Sequence, residues 1–405
     1  MDAVVNTFDE VLYSHYLSTS AGAVSYYKSR SAYETVKRRA AYYRYKVLHS
    51  ERKYLIEFEK NFSLSGGKVF YAETAADTFT EIKKIFERIK FSDKKILFNK
   101  SDLTTEIGIE DFLEKEKLSV ITADLPKLND PFIPENYSTF KEKIMKDDSF
   151  SAYPEDIYKQ YLRQHSYKNS VAIGAADFLI ADTGAVVIRD NSGGSALSFL
   201  LGQTKIFIAG IDQMLASLSD LSLYSRLYAT TAYNRPLSLN QTIFSGRSDT
   251  YLIVVDNGRT DILSDPERRS VLSCIKCGTC NGICPTGNPV EFVKSGCGDR
   301  CTLCGHCQDV CPVNIRLKDL ILRGKKKRAT AEVPDTSVVL DKNRIKTLVK
   351  MFLKRKNLEN TVKRFFLKST FKKAFGTSRI FPNFNKKSFN QIWMEKHPPV
   401  EEFVL

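Results

Sequence analysis

Outside one short window the sequence has no cysteine: all nine in its 405 residues fall between Cys274 and Cys311. A secreted fold stapled by disulfides would spread them through the chain, so that class is excluded and a cluster of metal ligands is expected instead. Long apolar runs are missing too. The most apolar window, 171–188, is broken by Asp177 and Asp182, so no membrane-spanning helix is expected. The N-terminal residues MDAVVNTFDEVLYSHYL lack the basic start and apolar stretch of a secretory leader, which points to a cytoplasmic location. Neither a GxGxxG nor a Walker A pattern occurs, so nucleotide binding has no support. With five histidines and no nucleophile elbow, hydrolase chemistry has none either.

Acidic residues are scarce in one segment. Residues 324–387 hold 19 lysines and arginines against 4 acidic side chains, so the formal charge of +14 belongs to them and the rest is near neutral. Phe352, Phe365, Phe366, Phe371 and Phe375 are interleaved with these lysines. Such a basic helical tail can lie as a solvated face on the chain's own domains, dock on an acidic partner, or touch the inner face of an anionic membrane. Nucleic acid is not expected, because no recognition motif accompanies the charge.

The periodicity reads as α/β. Residues 20–62 are helical in pattern, and 1–65 form an N-terminal segment ending at Gly66-Gly67. From there short β-prone runs alternate with helical ones: 68–71, a helix through Phe79 to Ile89, 95–98, a helix through Ile107, Phe112 and Leu113, then 118–122. After a polar stretch, 126–168, come the runs 171–173, 178–180, 185–188 and 205–208, a helix near 211–228, and a strand over 251–255. That order predicts a parallel sheet with covering helices over 66–265. A cysteine module follows at 266–323 and the basic region at 324–405.

The cysteines form two runs, Cys274-x2-Cys277-x2-Cys280-x3-Cys284-Pro285 and Cys301-x2-Cys304-x2-Cys307-x3-Cys311-Pro312. Three cysteines at successive two-residue gaps suit an iron–sulfur cubane, and in bacterial ferredoxins the fourth cysteine ligates the other cluster. The expectation is therefore an α-helical, ferredoxin-type module with two [4Fe–4S] clusters. Cys274, Cys277, Cys280 and Cys311 would hold one; Cys301, Cys304, Cys307 and Cys284 would hold the other. Structural zinc prefers cysteine pairs separated by a long loop. The ninth cysteine, Cys297, is a free thiol, a substitute ligand or a bystander, and His306 is placed to shield or hydrogen-bond a cluster.

Several segments resemble one family. Leu272-Ser-Cys-Ile-Lys-Cys-Gly-Thr-Cys280, Leu303-Cys-Gly-His-Cys-Gln-Asp-Val-Cys-Pro-Val-Asn-Ile315 and Gly174-Ala-Ala-Asp-Phe-Leu-Ile-Ala-Asp-Thr-Gly-Ala185 are similar to segments of lactate-utilisation protein B, a LUD-domain iron–sulfur subunit. Lys100-Ser-Asp-Leu-Thr-Thr-Glu-Ile107, Thr122-Ala-Asp-Leu125 and Phe381-Pro-Asn-Phe-Asn-Lys-Lys-Ser-Phe-Asn-Gln-Ile-Trp393 look like further family signatures. The resemblance implies a fold like the ribose-phosphate isomerase and CoA-transferase superfamily. It also implies a role in oxidising L-lactate to pyruvate, beside a cysteine-rich subunit and a second LUD-containing subunit. The chain departs from the family pattern in a short linker between the cysteine runs, in Asp182 where Glu is usual, and in the segment after Leu125.

Candidate ligand-binding residues lie at two turns. Asp177, Asp182, Thr183 and Gly184 join two apolar runs, where Asp182 either contacts a ligand or only caps the turn. Asp256, Asn257 and Arg259 follow the last strand, at the edge where open α/β sheets bind ligands. Arg259 either grips a carboxylate bidentately or pairs with Asp256 to lock the domain to the cysteine module. Three functions remain open on these residues: an electron-transfer subunit of a lactate-oxidising complex, an oxidoreductase binding an organic acid itself, and a redox-sensing scaffold.

Overall fold

The computed structural model describes residues 26–27, 29–91, 95–123, 141, 154–165, 170–190, 193–234, 240–296, 298 and 300–331. The basic tail past 331, Asp124, Leu125 and Cys297 lie outside them. The chain divides into two compact units, Met1–Lys325 and Lys326–Leu405, and the fold that follows is that of the first.

Two helices open it, α1 (Arg30–His49) and α2 (Glu51–Leu64). The helical reading of 20–62, of which 20–25 and 28 lie outside the described residues, is met by two helices parted at Ser50, which leaves the helical region at φ −123° and ψ 32°. Strand β1 (Lys68–Ala72) leads to α3 (Ala75–Arg88), opened by a Thr74–Asp77 capping box that satisfies two N-terminal amides reciprocally. After β2 (Lys95–Asn99), the helix expected through Ile107 is two short ones, α4 (Asp102–Glu106) and α5 (Ile109–Lys115), parted by Gly108 at φ 71°. Then follow β3 (Val120–Thr122), α6 (Pro154–His165), β4 (Ser170–Ala175), β5 (Phe178–Ile180), β6 (Ala185–Asp190), α7 (Gly194–Leu201) and β7 (Thr204–Gly210). The expected helix near 211–228 is a 3-10 turn, a two-residue strand β8 (Met214–Leu215) and α8 (Leu218–Tyr233). Strands β9 (Asn240–Phe244) and β10 (Thr250–Val255) precede α9 (Arg259–Ser264). The cysteine region adds α10 (Thr279–Ile283), α11 (Pro289–Lys294), α12 (His306–Asp309) and α13 (Leu317–Ala331).

Six strands form one wholly parallel sheet in the order β1-β10-β7-β4-β2-β3, as the alternation predicts. A second sheet, β8-β5-β6-β9, was not foreseen; β5 and β9 pair antiparallel with β6, and β8 is parallel to β5. Its strands β5 and β6 are short apolar runs joined by a tight turn, and nothing in such a run says which sheet receives it.

Side-chain alternation sorts the core into layers. Tyr251, Ile253 and Val255 of β10 join Ile82, Ile85 and Phe112 on one face of the large sheet. Leu252 and Val254 join Phe58, Phe62 and Phe199 on the other, together with Leu179, Val186 and Ile188 of the small sheet. The small sheet's opposite face, Phe178, Ile180 and Val187, packs with Tyr224, Leu227 and the cysteine-region residues Val271, Leu272, Ile275, Val313, Ile315 and Leu317. The cysteine region therefore shares a hydrophobic core with the small sheet.

Candidate metal centre

The two cysteine runs fold as near copies. In each, the residue before the second cysteine has positive φ (Lys276 54°, Leu303 61°), and so does the glycine after it (Gly278 74°, Gly305 94°). Three residues past each fourth cysteine the chain is again left-handed, at Gly287 and Asn314. These turns aim backbone amides at sulfur: Lys276 N–H donates to Cys274 Sγ at 3.3 Å and Leu303 N–H to Cys301 Sγ at 3.4 Å. Ile315 N–H adds a third bond, to Cys311 Sγ, at 3.3 Å. Such bonds favour thiolate over thiol.

The fold gathers the sulfurs into two rings, each enclosing a hollow. Cys274, Cys277, Cys280 and Cys311 line the first, with Ile275 and Leu317 among its apolar walls. Cys284, Cys301, Cys304 and Cys307 line the second, beside His306 and Lys318. The fourth cysteine of each run thus lies in the other run's ring. All eight are free of disulfides. Among the described residues, no three His, Cys, Asp or Glu side chains are placed to hold a single metal ion. Burial, then repulsion between neighbouring sulfurs, pushes the Cys280 thiol far up and holds Cys307 and Cys311 at about 12. The donor set, the enclosed shape and the amide-to-sulfur bonds fit an iron–sulfur cubane in each ring.

The turn residues have structural partners. Asp177 pairs with Arg189 at 3.0 Å, and the same guanidinium reaches the Ile275 carbonyl at 2.9 Å. Asp182 accepts from Leu218 N–H at the start of α8, and Thr183 is exposed. Gly184, at φ 65°, lies so close to α2 that a Cβ there would sit 2.3 Å from the Phe62 nitrogen. Asp256 caps α9 through Thr260 N–H, and Asn257 donates to Glu106.

The Asp256–Arg259 side-chain pair is corrected by the structure: Asp256 offers Arg259 only its carbonyl. Arg259 is buried and does grip a carboxylate bidentately, but it is that of Glu106, at 2.9 Å through both Nη1 and Nη2. Its Nε donates to Asp212 at 2.7 Å. Burial opposes charge on Asp212, yet Arg259, helped by Lys276, Lys294 and Arg44, holds its carboxyl down at about 2. Lys294, on α11, also pairs with Glu106 at 3.5 Å. This network sits at the carboxyl end of β7 and β10, under a cleft of about 350 Å³ bordered by Asn257, Asp261, Arg268 and Glu291.

Sequence reading missed Glu106, Asp212, Arg189 and Lys294 as members of this site. Glu106 lay inside a family signature, but without a motif to flag its role. The others belong to distant segments that only folding brings together.

Residues 55–259, half of the chain, match the LUD domain family model. Lactate utilization protein B of Bacillus subtilis is 29% identical over 268 residues, covering 59% of this chain and 55% of that protein. Its namesake in Bacillus cytotoxicus is 28% identical over 257 residues, covering 57% and 54%. The chain spans about half the length of these curated relatives. Among solved structures, a DUF162-family protein from Deinococcus radiodurans aligns with a TM-score of 0.31 at 13% identity, over 51% of this chain and 98% of that one.

Proposed function

Because the chain belongs to the LUD-domain family, we propose that it is an iron–sulfur electron-transfer subunit acting in lactate utilisation. The observation that carries this reading is the pair of four-cysteine rings, with Cys284 and Cys311 exchanged between runs. Ring one would hold one [4Fe–4S] cluster through Cys274, Cys277, Cys280 and Cys311, and ring two another through Cys301, Cys304, Cys307 and Cys284. A cubane in each ring supplies reversible one-electron storage. Oxidising a 2-hydroxy acid such as L-lactate to its 2-oxo acid, pyruvate, releases two electrons and two protons, so two one-electron sites match one turnover.

The chain's own residues position and shield. Lys276, Leu303 and Ile315 give amides to ring sulfurs, and Ile275, Val313 and Leu317 exclude water from ring one. The partners proposed are a cysteine-rich subunit and a second LUD-containing subunit. Among the described residues no helix is long and apolar enough to cross a membrane; contact with a membrane through the basic tail remains a proposal of the sequence alone.

The test is iron and acid-labile sulfide per chain after anaerobic purification. About eight of each is expected for two cubanes, with visible absorbance that bleaches on reduction; zinc without sulfide would overturn the assignment. A second reading, direct binding of an organic acid by this chain, is favoured by the cleft at the carboxyl end of the sheet. Lactate added anaerobically to the isolated chain separates the two, since bleaching without partners would sink the pure-carrier role.

A further inference from the structure

The cysteines do not account for the charge that the fold buries beside them. Arg44 of α1 is wholly buried, and among the described residues its guanidinium bonds to backbone carbonyls. Nε donates to Ser273 at 3.2 Å, Nη1 to Met214 at 2.7 Å, and Nη2 to Leu272 at 2.9 Å and to the Asp212 carbonyl. Carbonyl dipoles satisfy its N–H groups; the nearby Asp212 carboxylate acts on it electrostatically but is bonded to Arg259, and a buried cation without a carboxylate of its own is costly. Leu272 and Ser273 immediately precede Cys274. The next carbonyl after that cysteine, on Ile275, is held by Arg189, whose side chain is only 2% exposed.

Ring one is thus clamped on both sides of Cys274 by arginines from distant elements. Lys276 and Lys294 act electrostatically on Cys274 itself, and Lys294 is tied through Glu106 and Arg259 to Asp212, whose carbonyl Arg44 holds. Four thiolates on a dicationic cubane core would carry two negative charges, and these basic side chains face them. Ring two differs: Cys304 is exposed, and its nearby cations, Lys318 and Lys325, are half-buried, as Lys276 and Lys294 are, with no wholly buried arginine like Arg44 beside it among the described residues.

We propose that Arg44 is the fixed counter-charge of ring one and, with its network, sets the reduction potential there above that of ring two. The inference rests on the two-cluster reading. Reduction adds one negative charge to a ring, and a buried cation stabilises the more negative state by more, because Coulomb energy scales with charge and is weakly screened in the interior. Arg44 is accordingly a positioning residue: it touches the loop that carries Cys274 and acts through it.

The experiment is a potentiometric titration of the full chain, reconstituted anaerobically with iron and sulfide and reduced with dithionite. It is followed by electron paramagnetic resonance and visible absorbance. Wild type should show two one-electron steps. Arg44→Met should weaken reduction at the higher step at least tenfold, a drop of about 59 mV, and leave the lower step in place; Arg44→Lys should recover most of it. Lys318→Gln should move only the lower step, by less. With about eight iron atoms bound, an Arg44→Met profile unchanged at both steps, or shifted only at the lower one, overturns the inference while the cluster reading stands. If Arg44→Met does not fold, Lys294→Gln, at a side chain 19% exposed, should lower the higher step by a smaller amount, and an unchanged profile overturns the inference. Wild type without iron or sulfide brings down the cluster reading itself.

Discussion

Ring one and ring two are built from the same spacing of cysteines and the same left-handed turns, yet they occupy different surroundings. Ring one faces inward, against Ile275, Val313 and Leu317 and the charged network that reaches to the carboxyl end of the large sheet. Ring two faces outward, with Cys304 exposed and lysines of α13 at its rim: Lys318 lines the hollow, and Lys325 donates to the Cys301 carbonyl at 2.7 Å. A repeated motif therefore specifies a ligand set without specifying an environment. Environment is what tunes a cluster's potential, so two like rings need not do the same work.

The strongest way to break this comparison is to exchange ligands across the runs. Cys311→Ser should empty ring one although Cys311 belongs to the second run, and Cys284→Ser should empty ring two. Each should leave about half of the iron; loss confined to the variant's own run would mean that the rings do not cross. Removing charge from the inward side comes next. Arg259→Met strands Asp212, whose side chain is 3% exposed, and should cost about 3–5 kcal/mol in denaturant unfolding, with the loss shared by the iron content of ring one.

Acid should act on the same side. The Asp212 carboxyl stands at about 2 in the fold against an ordinary 3.8, so its contribution is whole above the ordinary value and fades as pH falls from there toward the folded one. Asp212→Asn should therefore flatten the acid end of the stability–pH curve, and an unchanged slope would remove Asp212 from the network's account. A backbone test of the region between α2 and the small sheet is Gly184→Ala, which forces a Cβ against Phe62 and should cost about 1–3 kcal/mol. The smallest effect belongs to the outward ring: Lys325→Ala removes one half-buried hydrogen bond and should cost about 1 kcal/mol or less.

The strands of the large sheet were legible because each is a short apolar run ended by glycine or a polar turn, and a parallel sheet buried on both faces leaves that signature. The helix break at Ser50 was not, since Ser50 sits in an unbroken helical periodicity. The small sheet was not legible either: β8 is two residues long and β9 follows a polar stretch. At the candidate site, Arg259 was visible as a cation after a buried strand. Its partners were not, because Asp212 and Glu106 lie 47 and 153 residues away.

The sequence by itself determined which three cysteines of each run lie close together, because gaps of two residues are bridged by local left-handed turns; that the fourth comes from the other run is a matter of how the two runs pack. Only the tertiary structure decided what each ring faces. Arg44 sits in a stretch of basic residues indistinguishable from its neighbours Arg38 and Arg39 until α1 packs, after which it alone of the three is buried. The physical reason is the range of the interactions: the spacing within a run is a matter of chain geometry over a few residues, whereas the exchange of Cys284 and Cys311 and the charge around ring one depend on α1, the small sheet, the turn after β7, α4, α9 and α11, brought together by the burial of a common core.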